Sequence, residues 1–147
     1  MLEDIIQQDI KAAMLAKDSV ALASVRAIKA AILLAKTAEN GKPVDDAEIV
    51  KIIQKLVKQR KESAEIYSQQ NRPELADNEL AEVAVMERYL PKQLSEAEIE
   101  EALKGIIAQV GANSMADMGK VMGTATKALA GQADGKVISA LVRKLLA

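Results

Sequence analysis

The sequence predicts an all-α chain, with a four-helix N-terminal part at residues 1–90 and a small three-helix C-terminal domain at residues 95–147. Three observations predict it. Apolar residues recur at helical spacing, about every 3.6 residues, along almost the whole chain. Ala, Leu, Ile, Lys and Glu dominate, while aromatics are 1% of the residues, Tyr67 and Tyr89; the side chains that favour strands cluster nowhere. Three prolines, Pro43, Pro73 and Pro91, punctuate the helical pattern.

The first helix covers about residues 2–16, with Leu2, Ile6, Ile10 and Ala13 on one stripe. Asp18 or Ser19 caps the second, because a short oxygen-bearing side chain accepts from free N–H groups at a helix start. The second helix, about residues 20–39, is apolar on most sides and polar only at Arg26, Lys29 and Lys36. So narrow a polar stripe predicts a helix surrounded by others. Gly41 and Pro43 end it.

The third helix begins near Asp45-Asp46, where acids suit the positive end of the helix dipole. Its buried face is Ile49, Ile52, Ile53, Leu56, Val57 and Ala64. Lys51, Lys55, Lys58 and Lys61 lie largely opposite. Arg60 stands beside the apolar stripe and is expected to meet a carboxylate at the core margin. Asn71-Arg72-Pro73 breaks the pattern, and Pro73 opens the fourth helix at about residues 73–89. Leu80, Val83 and Ala84, with Tyr67 from the third helix, are its expected packing residues.

Leu90-Pro91-Lys92-Gln93-Leu94 marks the domain boundary, since Pro91 biases Leu90 away from helix. Ser95-Glu96-Ala97-Glu98 fits a capping box. The fifth helix then runs to about residue 110 and stops at Gly111. Ser114 to Asp117 is a similar start for the sixth, which ends before Gly131. Asp134 caps the seventh, residues 135–146. Three helices this short need one another for stability.

Composition narrows the function. At 147 residues the chain can bury a real core. It has no His and no Cys, which excludes a Ser–His triad, a Cys nucleophile and a zinc site with the usual ligands. The carboxylates fall on polar helix faces or caps. No catalytic residue, metal site or cofactor is assigned. Net charge is −1, but residues 1–103 hold 14 basic and 19 acidic side chains while residues 104–147 hold 6 and 2. The tail thus carries a local positive charge able to steer a polyanion. The start, Met1-Leu2-Glu3-Asp4, is acidic where a signal peptide is basic. The longest apolar stretch, residues 20–35, falls short of the roughly 20 residues that span a bilayer and contains Arg26 and Lys29. These features lead to the expectation of a soluble cytoplasmic protein with neither a membrane nor DNA as partner.

The candidate site lies in the tail. Six of the seven glycines lie at or after Gly105, although each Gly in a helix interior costs about 1 kcal/mol relative to Ala. Gly119 and Gly123 share a helical face. Their spacing fits close packing against the fifth or seventh helix, or close approach of an RNA backbone beside Lys120. Gly131-Gln132-Ala133-Asp134-Gly135-Lys136 is not a phosphate-binding P-loop. It has three residues between its glycines instead of four, Val137 where Ser or Thr belongs, and no strand before it. Gly131 reads instead as a helix end and Asp134 as a cap. A helix N-terminus still offers N–H groups to a phosphate, although Asp134 opposes one. No aromatic platform is present for stacking single-stranded bases, so RNA contact here would read backbone and shape.

The stretches Asp117-Met118-Gly119-Lys120-Val121-Met122-Gly123 and Gly131-Gln132-Ala133-Asp134-Gly135-Lys136 resemble the GatB/YqeY family. So do Lys58-Gln59-Arg60-Lys61-Glu62-Ser63 and Tyr89-Leu90-Pro91-Lys92-Gln93-Leu94-Ser95. The resemblance spans nearly the whole chain, which therefore looks like a free-standing YqeY-like protein. It is also similar to the tail of the B subunit of tRNA-dependent amidotransferases. The resemblance implies an all-helical two-part fold and a role near tRNA. It links the chain to carbon–nitrogen ligase chemistry with glutamine as amide donor, performed by partner subunits. By that likeness Lys120, Lys127, Lys136 and Lys144 would contact tRNA phosphates, and Gly119, Gly123, Gly131 and Gly135 would shape the surface. A second reading makes the chain a protein-interaction accessory. Its third and fourth helices would then dock on an amidotransferase subunit or an aminoacyl-tRNA synthetase.

Overall fold

The computed structural model describes residues 1–38 and 43–147. Among these residues the protein is all-α, with seven α-helices, one short 3-10 turn and no strand. The chain divides into two compact units, Met1–Leu90 and Pro91–Ala147.

The first unit holds α1 (Leu2–Ala16), α2 (Ser19–Lys36), α3 (Asp46–Gln69) and α4 (Pro73–Glu87). Asp18 caps α2, accepting from the Ala21 N–H at 3.0 Å. Asp45 caps α3, accepting from the Glu48 N–H at 2.9 Å. Helices α1 and α3 end with one device. Lys17 (φ 56°) and Asn71 (φ 57°) adopt the left-handed conformation. The Asp18 N–H then reaches back to the Ala13 carbonyl, and the Arg72 N–H to the Tyr67 carbonyl. These Schellman turns satisfy carbonyls that the helix leaves free, and the chain reverses at once.

Ile6, Ile28, Ile32, Ile49, Ile53, Val57, Val83 and Met86 form the core of this unit. Helix α2 touches the other three. Its one buried polar residue, Ser24, donates to the Val20 carbonyl at 2.8 Å. The expectation that α2 is surrounded needs correction, because Leu33 and Leu34 are exposed, the latter by 75%. Three neighbours cover one side of a helix whose other side is also apolar. The helix ends at Lys36, and the predicted stop at Gly41 lies outside the described residues. On α4, Val83 is buried as expected, but Leu80 and Ala84 are exposed. Because α4 packs on both α3 and α2, its buried face runs through Ala76, Val83, Val85 and Met86 instead. Arg60 meets its carboxylate: Glu82 of α4 lies 3.7 Å away, with both side chains mostly buried. The Tyr89 hydroxyl donates to the Asp9 carboxylate. Burial first, then that bond, pushes the phenol pKa well up.

The second unit holds α5 (Glu96–Val110), a 3-10 turn (Met115–Asp117), α6 (Met118–Ala128) and α7 (Gly135–Leu146). Ser95 and Glu98 form the reciprocal capping box. Gly111, at φ 70°, repeats the Schellman turn of the first unit, with the Ala112 N–H bonded to the Ile107 carbonyl. The sixth helix starts later than the sequence predicts. Asp117 accepts from the Asn113 N–H at 3.1 Å, which tightens residues 115–117 into the 3-10 turn, and α6 follows. Asp134 caps α7 as expected. Ile99, Leu103 and Ile106 of α5 pack with Val121 and Ala125 of α6, Leu129, and Ile138, Leu141, Val142 and Leu146 of α7.

Candidate polyanion-binding face

Helix α6 buries Val121 and Ala125, four apart and therefore on one side of the helix. That choice turns Gly119, Lys120, Gly123 and Lys127 outward, and all four are exposed. A Cβ built on Gly119 or Gly123 meets nothing within 4 Å. Close packing against α5 or α7 is therefore not what places these glycines. Their missing side chains leave helix backbone uncovered on a solvent face.

With Gln109 from α5, residues Gly119, Lys120, Gly123, Thr124 and Lys127 line a shallow, open depression of about 620 Å³. Lys120 and Lys127 stand seven apart, about 10.5 Å along the axis. Neither has an ion pair among the described residues. No acidic residue lies within α6. The Thr124 hydroxyl donates to the Lys120 carbonyl at 3.3 Å. Sequence reading missed Thr124 and Gln109. Thr124 had a signal, lying four residues after Lys120; Gln109 had none, because it comes from another helix.

The other predicted residues lie elsewhere. Lys136 and Gly135 are exposed in the first turn of α7. Lys144 is in the last turn of α7, with its ammonium 3.8 Å from Glu100. Gly131 is buried at φ 78°. Its carbonyl accepts from the Gln93 side chain at 2.7 Å. The structure thus gathers Gly119, Lys120, Gly123 and Lys127, and leaves Lys136, Lys144, Gly131 and Gly135 outside the depression.

Gly131 belongs to a clasp that sequence reading did not find. Gln93 bonds both the Pro91 and the Gly131 carbonyls. The Leu94 N–H bonds the Gln132 carbonyl at 3.0 Å, and the Gln132 side chain bonds the Lys92 carbonyl at 3.3 Å. The clasp ties the α6–α7 turn to the segment that leads into α5. Two motifs about 40 residues apart are therefore one structural feature.

In chemical terms, the α6 face offers two cations and uncovered backbone, which can attract and position phosphate groups. Among the described residues no group of three or more carboxylates is placed to hold a metal ion, and no helix is long and apolar enough to cross a membrane.

A family model described as Yqey-like protein matches residues 3–146. Among curated proteins, the chain is 37% identical over 108 residues to "Altered inheritance of mitochondria protein 41, mitochondrial" of Meyerozyma guilliermondii, covering 71% of this chain and 56% of that protein. The protein of the same name in Pyrenophora tritici-repentis is 29% identical over 145 residues, covering 96% and 78%. That of Saccharomyces cerevisiae is 28% identical over 105 residues, covering 70% and 57%. The chain spans little more than half the length of the Meyerozyma and Saccharomyces relatives. Their names overturn the cytoplasmic expectation, since all three are named as mitochondrial. The acidic residues Glu3 and Asp4 do not identify a compartment.

Proposed function

The chain belongs to the YqeY-like protein family, and on that premise we propose that it is a tRNA-binding accessory without an active site of its own, acting beside tRNA-dependent amide transfer carried out by partner subunits. We take its two units as a four-helix and a three-helix domain, and assign the tRNA to the α6 face of the latter. Lys120 and Lys127 are the main phosphate contacts, with Lys136 and Lys144 peripheral. The observation that carries this reading is the open space over Gly119 and Gly123, flanked by lysines with no acid on their helix. Helix stability alone would favour Ala at both positions.

The test is a gel-shift titration with bulk tRNA at two salt concentrations. Wild type binds, and affinity falls steeply as salt rises because phosphate contacts release counterions. Replacing Lys120, Lys127 and Lys136 together by Ala weakens binding to different tRNAs about equally, since phosphates carry no sequence information. If wild type fails to bind tRNA at low salt, or the triple variant binds as well as wild type, the reading is wrong.

A second reading, docking to an amidotransferase subunit or synthetase through α3 and α4, draws on the exposure of Ile66 and Leu80 on those helices. It makes the opposite forecast: replacing Lys51, Lys55 and Lys58 has the larger effect, through a protein partner.

A further inference from the structure

Helix α1 buries Ile6 and Ala13, yet its solvent side is also apolar. Met1, Ile5, Ala12 and Leu15 are all exposed, Leu15 by 86%, and the exposed polar Gln8 completes the row between Ile5 and Ala12. Their spacing of four, three, four and three residues is the 3.5-residue repeat of a coiled-coil seam. Alongside it, Leu2, Ile5, Ala12 and Ala16 line a depression of about 550 Å³ between α1, α2 and the end of α4. Asp9, Asp18 and Arg88 share that lining, so the apolar surface widens only along the α1 side. A seam of this period fits another helix, and the charges beside it show which.

Asp4 and Lys11 flank the stripe on the same edge, one heptad apart. Both are exposed, and neither has an ion pair among the described residues. Two copies of α1 laid antiparallel about a two-fold axis near Gln8 bring Asp4 of each copy opposite Lys11 of the other. The same axis brings Ile5 of one seam onto Ala12 of the other, a large side chain against a small one, and sets Met1 against Leu15. A parallel pairing instead sets Asp4 against Asp9 of the second copy, two like charges. An isologous contact needs a patch complementary to itself, and the Asp4–Lys11 edge meets that condition in the antiparallel orientation.

We infer that the exposed face of α1 is a self-association surface, and that its occupant is the antiparallel α1 of a second copy of this chain. The seam is short: 15 residues, about 22 Å of helix. The association is accordingly weak and concentration-dependent, in the class of small transient interfaces.

Sedimentation of the full chain from roughly 10 μM to 1 mM tests this, across the range of weak affinities. Wild type shows a reversible monomer–dimer equilibrium. Asp4→Lys and Lys11→Asp each weaken it by about tenfold, because two reciprocal pairs become repulsive. The double variant restores it to within about threefold, since the swapped charges again face their opposites. Leu15→Lys abolishes it and keeps the helical circular dichroism of wild type, since Leu15 supports no core. A wild type that stays monomeric at the highest concentration overturns the inference. So does single variants that associate like wild type, a double variant no better than the singles, or Leu15→Lys that associates unchanged.

Discussion

The two units use glycine and charge in opposite ways. In the first unit, two helices turn left-handed on Lys17 and Asn71, without glycine. In the second, Gly111 and Gly131 take the positive-φ positions, while Gly105, Gly119 and Gly123 stand inside helices facing open space. The first unit spreads its cations among acids, as in the pairs Lys36–Glu3, Arg60–Glu82 and Lys61–Glu87. The second concentrates its acids on α5, at Glu96, Glu98, Glu100 and Glu101, and leaves α6 with lysines alone. The difference teaches that turn geometry accounts for two of these glycines and not for those of α6. It also shows that a nearly neutral chain can present a basic face by segregating its charges.

The largest effect should come from testing whether the units are energetically separate. Leu103, at the centre of the second core, and Ile53, at the centre of the first, are fully buried. Either one changed to Ala costs about 2–5 kcal/mol through lost burial and a cavity. The second unit is the smaller and therefore the more marginal. Leu103→Ala is expected to remove hydrogen-exchange protection from residues 91–147 and spare residues 1–90, with Ile53→Ala doing the reverse. Equal loss of protection in both units after either change would mean one cooperative body, and the comparison would fail.

Next in size are the glycines, where the sign of the effect decides. Gly111→Ala forces a Cβ into left-handed backbone and destabilises the second unit by about 1–2 kcal/mol. Gly119→Ala and Gly123→Ala each stabilise it by about 0.5–1 kcal/mol, because their Cβ atoms enter open space and Ala suits a helix interior. Chemical denaturation of the three variants measures all of this. Loss of stability in Gly119→Ala would revive the packing explanation. If the gain in stability comes with weaker tRNA binding, the uncovered backbone is part of the contact.

Where sequence reading succeeded, the cause was local. Asp18, Asp45, Ser95 with Glu98, Gly111 and Asp134 end or start helices through bonds within a few residues, so their chemistry is visible in the chain. It failed where the deciding neighbour is remote in sequence. Helix α2 is apolar on several sides, and only the placement of α1, α3 and α4 leaves Leu33 and Leu34 out. Leu80 and Ala84 lie on a plausible stripe of α4, but contact with α2 rotates the buried face toward Val85. The exposure of Lys120 and Lys127 on a basic stretch was legible from local charge, while the role given to them came from the family resemblance. The separation of Lys144 was not, because Glu100 approaches from another helix. The Gln93–Gly131 clasp was hidden for the same reason.

The smallest effect concerns two exposed carboxylates, one in each unit, held low by different means. Bonds from the Ser95 backbone N–H, then the Ser95 hydroxyl, then the charge of Lys92 hold Glu98 below the usual carboxylate range. The Arg72 guanidinium, 2.9 Å away, is the main cause for Glu74. A carboxyl lowered on folding stabilises the folded state above its unfolded pKa, and that contribution is lost as pH falls through the folded pKa. Both units therefore carry an acid-sensitive contribution, and both are small at such exposed sites. Salt should tell them apart, because it screens an exposed ion pair far more than a short backbone bond at a helix cap. Glu98→Gln should blunt the loss of stability of the second unit between about pH 5 and pH 3 at both low and high salt. Glu74→Gln should do the same for the first unit only at low salt. Amide exchange followed in each unit across this pH range reads both effects. If high salt erased the Glu98 effect as fully as that of Glu74, Lys92 rather than the cap would hold that carboxyl, and the contrast between the units would disappear.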